Sequence, residues 1–181
     1  MPQRYFIVVI TAVAALFLYI DRVCFSTLAD PVQKDLGLTD PQKEFVLSAF
    51  FWTYALFQIP MGSLADRFGA RLVLALSIAA WSAVTLATGF AQTFFALVAI
   101  RLLLGITEAG AYPAAAGLIK AWARPQERGR FSSIVALGGR IGGAVAPYLT
   151  AALGLALVGV AVVEYAYTPA GPVVPPAEGD D

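Results

Sequence analysis

Five ionisable residues stand inside otherwise apolar stretches of this 181-residue sequence: Asp21, Arg22, Arg101, Glu108 and Arg140. Charges placed among apolar neighbours are costly, so each marks a site with a purpose. Arg101 and Glu108 are seven positions apart, which on a helix puts them ~20° apart around the axis and ~10.5 Å apart along it. Gly105 lies between them on nearly the same face, where it would leave open space, and Tyr112 extends the stripe with a hydroxyl. Two readings follow. The pair can be structural, each charge satisfied by a neighbouring helix. Alternatively Arg101 binds an anion through its planar fork. Glu108 then carries a proton, because desolvation favours the neutral carboxyl and a nearby cation the charged one.

Other chemistries are poorly served. The sequence has no His and one Cys, Cys24, which removes the commonest general base and any thiolate metal cluster. No metal or other cofactor is expected, no nucleophile–base arrangement is present, and an enzyme is not expected. Twelve basic residues balance twelve acidic ones, so nothing attracts nucleic acid.

The elements that hold these residues are membrane helices. Residues of the AVILMFWYC set make up 59% of the chain and charged ones only 13%, against a soluble norm of about 25% charged. Tyr5 to Ile20, Phe45 to Ala65, Leu72 to Ile100 and Ile141 to Val163 carry no charge, and a span needs about 20 apolar residues. The third run is too long for one span and breaks at Thr88 to Thr93. The pattern predicts an all-α, polytopic bundle with spans at about 5–28, 44–64, 72–91, 93–118 and 131–154. Ala29-Asp30-Pro31 should end the first helix. A short amphipathic stretch then runs to Gly37, and Thr39 or Asp40 before Pro41 caps the second. Cleavage after Thr27-Leu28-Ala29 as a signal peptide is the alternative for the first span. Residues 155–181 read as a Pro-rich, acidic, disordered tail.

Lys and Arg collect on one side, which sets orientation. Arg4, Arg67, Arg71, Lys120, Arg124, Arg128 and Arg130 fall in segments that alternate spans bring together. The opposite side holds Asp30, Asp35, Asp40 and Glu44 against Lys34 and Lys43. The N-terminus is therefore expected in the cytoplasm, and the acidic end, with Glu164, Glu178, Asp180 and Asp181, outside.

The segment Gly62-Ser-Leu-Ala-Asp66-Arg67-Phe-Gly69-Ala70-Arg71 resembles the G-x-x-x-D-R-x-G-R-R motif of major facilitator superfamily transporters, with Ala70 in place of one basic residue. The resemblance implies close helix contact at Gly62, a tight turn at Gly69, and a conformational switch formed by Asp66, Arg67 and Arg71. Tyr19-Ile-Asp21-Arg22, the run from Arg101 to Pro113 and the loop Trp122 to Arg130 are similar to the anion:cation symporter family, whose members carry sugar acids and related carboxylates. By that resemblance Asp21 and Glu108 take part in proton coupling, while Arg22 and Arg101 organise the anion site.

Tyr54 and Gln58 share a face and are candidates for substrate contact with Tyr112. The aromatic group from Phe50 to Phe57 otherwise reads as lipid- and helix-facing packing. Gly138, Gly139, Gly142 and Gly143 form overlapping G-x-x-x-G pairs suited to close helix packing. Arg140 between them either adds charge to a cavity or pairs with Glu108 or Asp21. Pro113 and Pro147 should kink their helices.

The resemblance covers about residues 5 to 153, the N-terminal half of the family's fold. The sequence is thus expected to be a truncated secondary transporter of small organic anions in a bacterial inner membrane. Its partners would be the anion, protons, membrane lipid and a missing C-terminal half or a second copy. The alternative function is a small membrane accessory or assembly protein.

Overall fold

The computed structural model describes the backbone of residues 2–167 and the side chains of residues 3–153. Within them the chain is helical: α1 Pro2–Asp35, α2 Asp40–Phe68, α3 Ala70–Thr88, α4 Phe94–Glu108, α5 Ala111–Trp122 and α6 Arg128–Tyr167, with a 3-10 turn at Pro125–Glu127. Counting α4 and α5 together, five segments are long and apolar enough to cross a membrane: Gln3–Asp35, Asp40–Phe68, Ala70–Thr88, Phe94–Trp122 and Pro125–Leu153. The expected five-span, all-α architecture is present.

Its outer surface agrees. Phe6, Trp52, Ile59, Leu86 and Phe95 are largely exposed. Large apolar side chains on that scale suit lipid and not water.

Three boundaries differ from expectation. Pro31 does not end α1, which continues to Asp35. Proline has helical φ; it forfeits its own N–H bond and crowds the Thr27 carbonyl four residues back, and α1 carries both costs. The turn it opens is held by Lys43 Nζ donating to Asp30 Oδ1 at 2.9 Å and by Gln33 Nε2 donating to Asp40 Oδ1 at 2.7 Å. Second, the fourth span is two helices, broken at Ala109-Gly110. Ala109 is the residue whose carbonyl the Pro113 ring would crowd, so proline acts one turn upstream of itself. Third, α6 runs past 154 to Tyr167, through the first part of the expected tail. Residues 168–181 lie outside those described.

Other signals act as expected. Thr39 caps α2, its backbone N–H donating to Gln42 Oε1 at 2.9 Å, with Pro41 in the first turn. Thr93 caps α4, its Oγ1 accepting from the Ala96 N–H at 3.2 Å. Gly69 joins α2 to α3 with φ +93, a conformation that costs other residues strain.

Residues 1–147 form one compact unit and 148–181 a second. In the first, small residues let helices approach. A Cβ on Gly138 would meet the Ala12 carbonyl and one on Gly142 the Leu16 carbonyl. The expected glycine packing is therefore α6 laid backbone-to-backbone on α1. Val8, Ala15, Ile119, Phe131 and Val135 form a buried apolar cluster nearby. At the same end Arg4 Nη1 pairs with Glu127 Oε2 at 3.0 Å, tying the start of α1 to the turn before α6.

Candidate functional site

The buried charges converge where α1, α2 and α4 meet. Arg22 projects from α1 and donates through Nη2 to Glu108 Oε2, at the end of α4, at 2.9 Å. Glu108 is fully buried and Arg22 partly so. Arg101, two turns earlier on α4, is 2% exposed. Asp21, next to Arg22, lies within electrostatic reach of Arg22, Arg101 and Glu108. Asp21 and Arg101 also line a cavity of ≈ 420 Å³ that opens among α1, α3 and α4, with Thr85 and Phe25 on its wall.

Aromatic rings complete the setting. The Arg22 guanidinium carbon stands 4.5 Å from the Tyr54 ring centroid, 4.6 Å from Phe50 and 5.5 Å from Tyr19. That of Arg101 stands 4.1 Å from Phe25 and 4.8 Å from Phe50. Such contacts are worth more as water is removed, up to about 2 kcal/mol each.

Satisfaction of the polar atoms is incomplete. Glu108 Oε1, Arg101 Nε and Arg22 Nε are buried without a hydrogen-bond partner among the described residues. Natural interiors leave few such atoms, and three of those in this structure belong to these charged groups. A carboxylate oxygen with a vacant lone pair can take a proton, and a guanidinium with vacant N–H groups can take an anion.

α2 sets the spacing. Thr53 Oγ1 donates to the Leu102 carbonyl of α4 at 2.9 Å. Gly105 faces the α2 backbone at Phe50 and Tyr54 so closely that a Cβ there has no room. The open space expected between Arg101 and Glu108 does not exist: α2 fills it, and so delivers Phe50 and Tyr54 to the arginines.

Asp21, Arg22, Arg101, Glu108 and Tyr54 are thus brought together. Tyr112 is half-buried, beside Tyr19 and Gly139. Gln58, one turn beyond Tyr54, is partly buried and makes no side-chain hydrogen bond among the described residues. Glu108 is taken by Arg22, whereas Arg140 is exposed on α6 and forms no ion pair among the described residues. Asp66, Arg67 and Arg71 lie exposed around the α2–α3 turn, likewise without an ion pair among those residues. A Cβ on Gly62 would sit 3.5 Å from Pro113 Cβ, an ordinary packing distance.

Phe50 and Phe25 were not anticipated. Phe50 belongs to an aromatic group that reads as packing. The available signal is that Phe50, Tyr54 and Gln58 recur every fourth residue and so share one helix face.

The family model described as Major Facilitator Superfamily matches residues 11–174, past the point where the motif resemblance fades. "Probable sulfoacetate transporter SauU" of Cupriavidus necator is 41% identical over 129 residues, covering 71% of this chain and 30% of the relative. "Probable galactarate/D-glucarate transporter GudP" of Escherichia coli is 40% identical, covering 72% and 30%. A "D-galactonate transporter" of the same species is 34% identical, covering 70% and 29%. The chain therefore spans roughly a third or less of the length of these relatives. Among solved structures, a bacterial homologue of the human lysosomal transporter Spinster, inward-facing and occupied, superposes with a TM-score of 0.79 at 26% identity. It covers 94% of this chain and 38% of that one.

Proposed function

The chain belongs to the Major Facilitator Superfamily, a family of non-enzymatic membrane transporters, and from that premise we propose that it builds the organic-anion site of a proton-coupled secondary transporter. The observation that carries this reading is the buried Arg22–Glu108 pair, set beside Arg101 and Asp21 and retaining unpartnered atoms on both sides. Sugar-acid and sulfonate transporters stand among its relatives, which supports a small carboxylate or sulfonate as substrate.

The mechanism follows from the pair. While Glu108 is ionised it occupies one edge of the Arg22 fork. A proton on Glu108 removes that charge and frees the fork for an anion, with Arg101 supplying a second cation and Asp21 a second proton-accepting group. Because guanidinium never deprotonates, only the carboxyls can carry the proton. Tyr54, Gln58 and Tyr112 contribute contacts to the bound anion. Gly62, Asp66, Arg67, Gly69 and Arg71 form the conformational switch at the cytoplasmic end. The distribution of Lys and Arg supports a cytoplasmic N-terminus, and the membrane in this reading is a bacterial inner membrane. The opposite wall of the cavity comes from a second helical half or a second copy.

Equilibrium binding tests the anion site. The purified chain in lipid nanodiscs is titrated with labelled D-glucarate. Saturable binding that unlabelled galactarate displaces, and that Arg101→Ala abolishes in a folded variant, is the expected result. Absence of saturable binding by folded wild type, or its persistence in Arg101→Ala, overturns the reading.

A further inference from the structure

Two cations that repel one another share a single ring. Phe50 is fully buried in α2, with the guanidinium carbon of Arg22 4.6 Å from its centroid and that of Arg101 4.8 Å away. Each arginine also has a nearer or equally near ring of its own: Tyr54 at 4.5 Å for Arg22, Phe25 at 4.1 Å for Arg101. Tyr54 in turn stacks on Phe50, centroids 5.5 Å apart and planes 19° apart. The carboxylates are not shared in this way. Glu108 accepts from Arg22, and Arg101 has no carboxylate oxygen at ion-pair distance among the described residues.

Like charges in a poorly screened interior push apart, and the pull of Glu108 on Arg22 disappears when Glu108 is protonated. The attraction of a ring quadrupole for a cation depends on neither proton state nor salt-bridge partner. From this geometry we infer that Phe50 is a positioning residue whose ring holds Arg22 and Arg101 at a set spacing through the protonation cycle. Two cations held at one ring suit a ligand with two anionic groups. The site thereby selects dicarboxylates over monocarboxylates of the same length. The inference rests on the anion-binding reading and adds to it the residue that sets the substrate class.

The test uses the full 181-residue chain in nanodiscs with Phe50→Leu and with mono-, di- and trifluorinated phenylalanine at position 50. Fluorine weakens the quadrupole in steps while nearly keeping the ring's shape. Two quantities are read: affinity for D-glucarate (two carboxylates) against D-gluconate (one), and the guanidinium NMR signals of Arg22 and Arg101, assigned with Arg→Lys variants. Expected are about a tenfold loss of D-glucarate affinity in Phe50→Leu, a graded loss along the fluorine series, and a smaller loss for D-gluconate. Both guanidinium signals should move with the loss of the ring current. Equal weakening for the two acids, unchanged affinity, or movement of one signal alone overturns the assignment. If Phe50→Leu does not fold, the fluorinated chains decide. If wild type binds neither acid the anion reading fails. The two NMR signals then judge the shared ring by themselves: movement of both upholds it, and anything less overturns it.

Discussion

Arg22 and Glu108, 86 residues apart in sequence, meet at 2.9 Å with the carboxylate fully buried. Removing one partner of such a pair strands a charge in an apolar bundle, at about 3–5 kcal/mol. Glu108→Ala alone should therefore destabilise the chain by that amount. Arg22→Ala with Glu108→Ala should cost clearly less than the two single effects added. Reversible unfolding in mixed micelles measures the cycle. Strict additivity would mean that the two groups do not interact.

Coupling makes a separate prediction. Glu108→Gln keeps a carbonyl oxygen for the Arg22 N–H but can neither gain nor lose a proton. In liposomes carrying this chain joined to a second helical half, it should abolish accumulation driven by a pH gradient and spare counterflow exchange of substrate. Full gradient-driven accumulation by this variant would remove Glu108 from the proton path.

Arg101 tests what the guanidinium contributes beyond charge. Lysine retains the cation but loses the planar, forked donors and much of the stacking on Phe25 and Phe50. Arg101→Lys should weaken anion binding by at least about tenfold, one lost charge-assisted hydrogen bond being worth about 1.5–3 kcal/mol. Calorimetric titration with D-glucarate reads it directly. Unchanged affinity would make Arg101 a structural residue.

Much of this molecule is visible in its sequence because lipid imposes strong rules. Charge-free runs give the spans, and Arg101 and Glu108 betray a shared helix face by spacing alone. What spacing cannot give is the partner on another helix. Gly105 looks like vacant space along α4, yet the backbone of α2 fills it. Phe50 looks like packing until α1 and α4 bring an arginine each to its ring. Pro31 and Pro113 show the same limit at the level of the backbone. Both read as points of disruption in isolation. Cross-helix bonds let α1 continue through the first, while the break from the second falls at Ala109-Gly110, upstream of the proline.

The glycine stripe of α6 offers an internally controlled test of that packing. A Cβ at Gly142 would run into the Leu16 carbonyl of α1, and one at Gly138 into the Ala12 carbonyl. Gly143, the next residue on the same turn as Gly142, would place its Cβ 3.5 Å from the Tyr19 ring, an ordinary contact. Backbone cannot move aside as a flexible side chain can, so overpacking at the first two positions should cost about 1–3 kcal/mol. Helix propensity alone would favour alanine at all three positions by up to about 1 kcal/mol. Gly138→Ala and Gly142→Ala should therefore destabilise and Gly143→Ala should be neutral or stabilising, in spite of identical chemistry. Reversible unfolding of the three variants in micelles separates the cases. Loss of stability only in the first two variants is the expected result. Equal stability of all three would mean that α6 does not lie against α1 at these glycines.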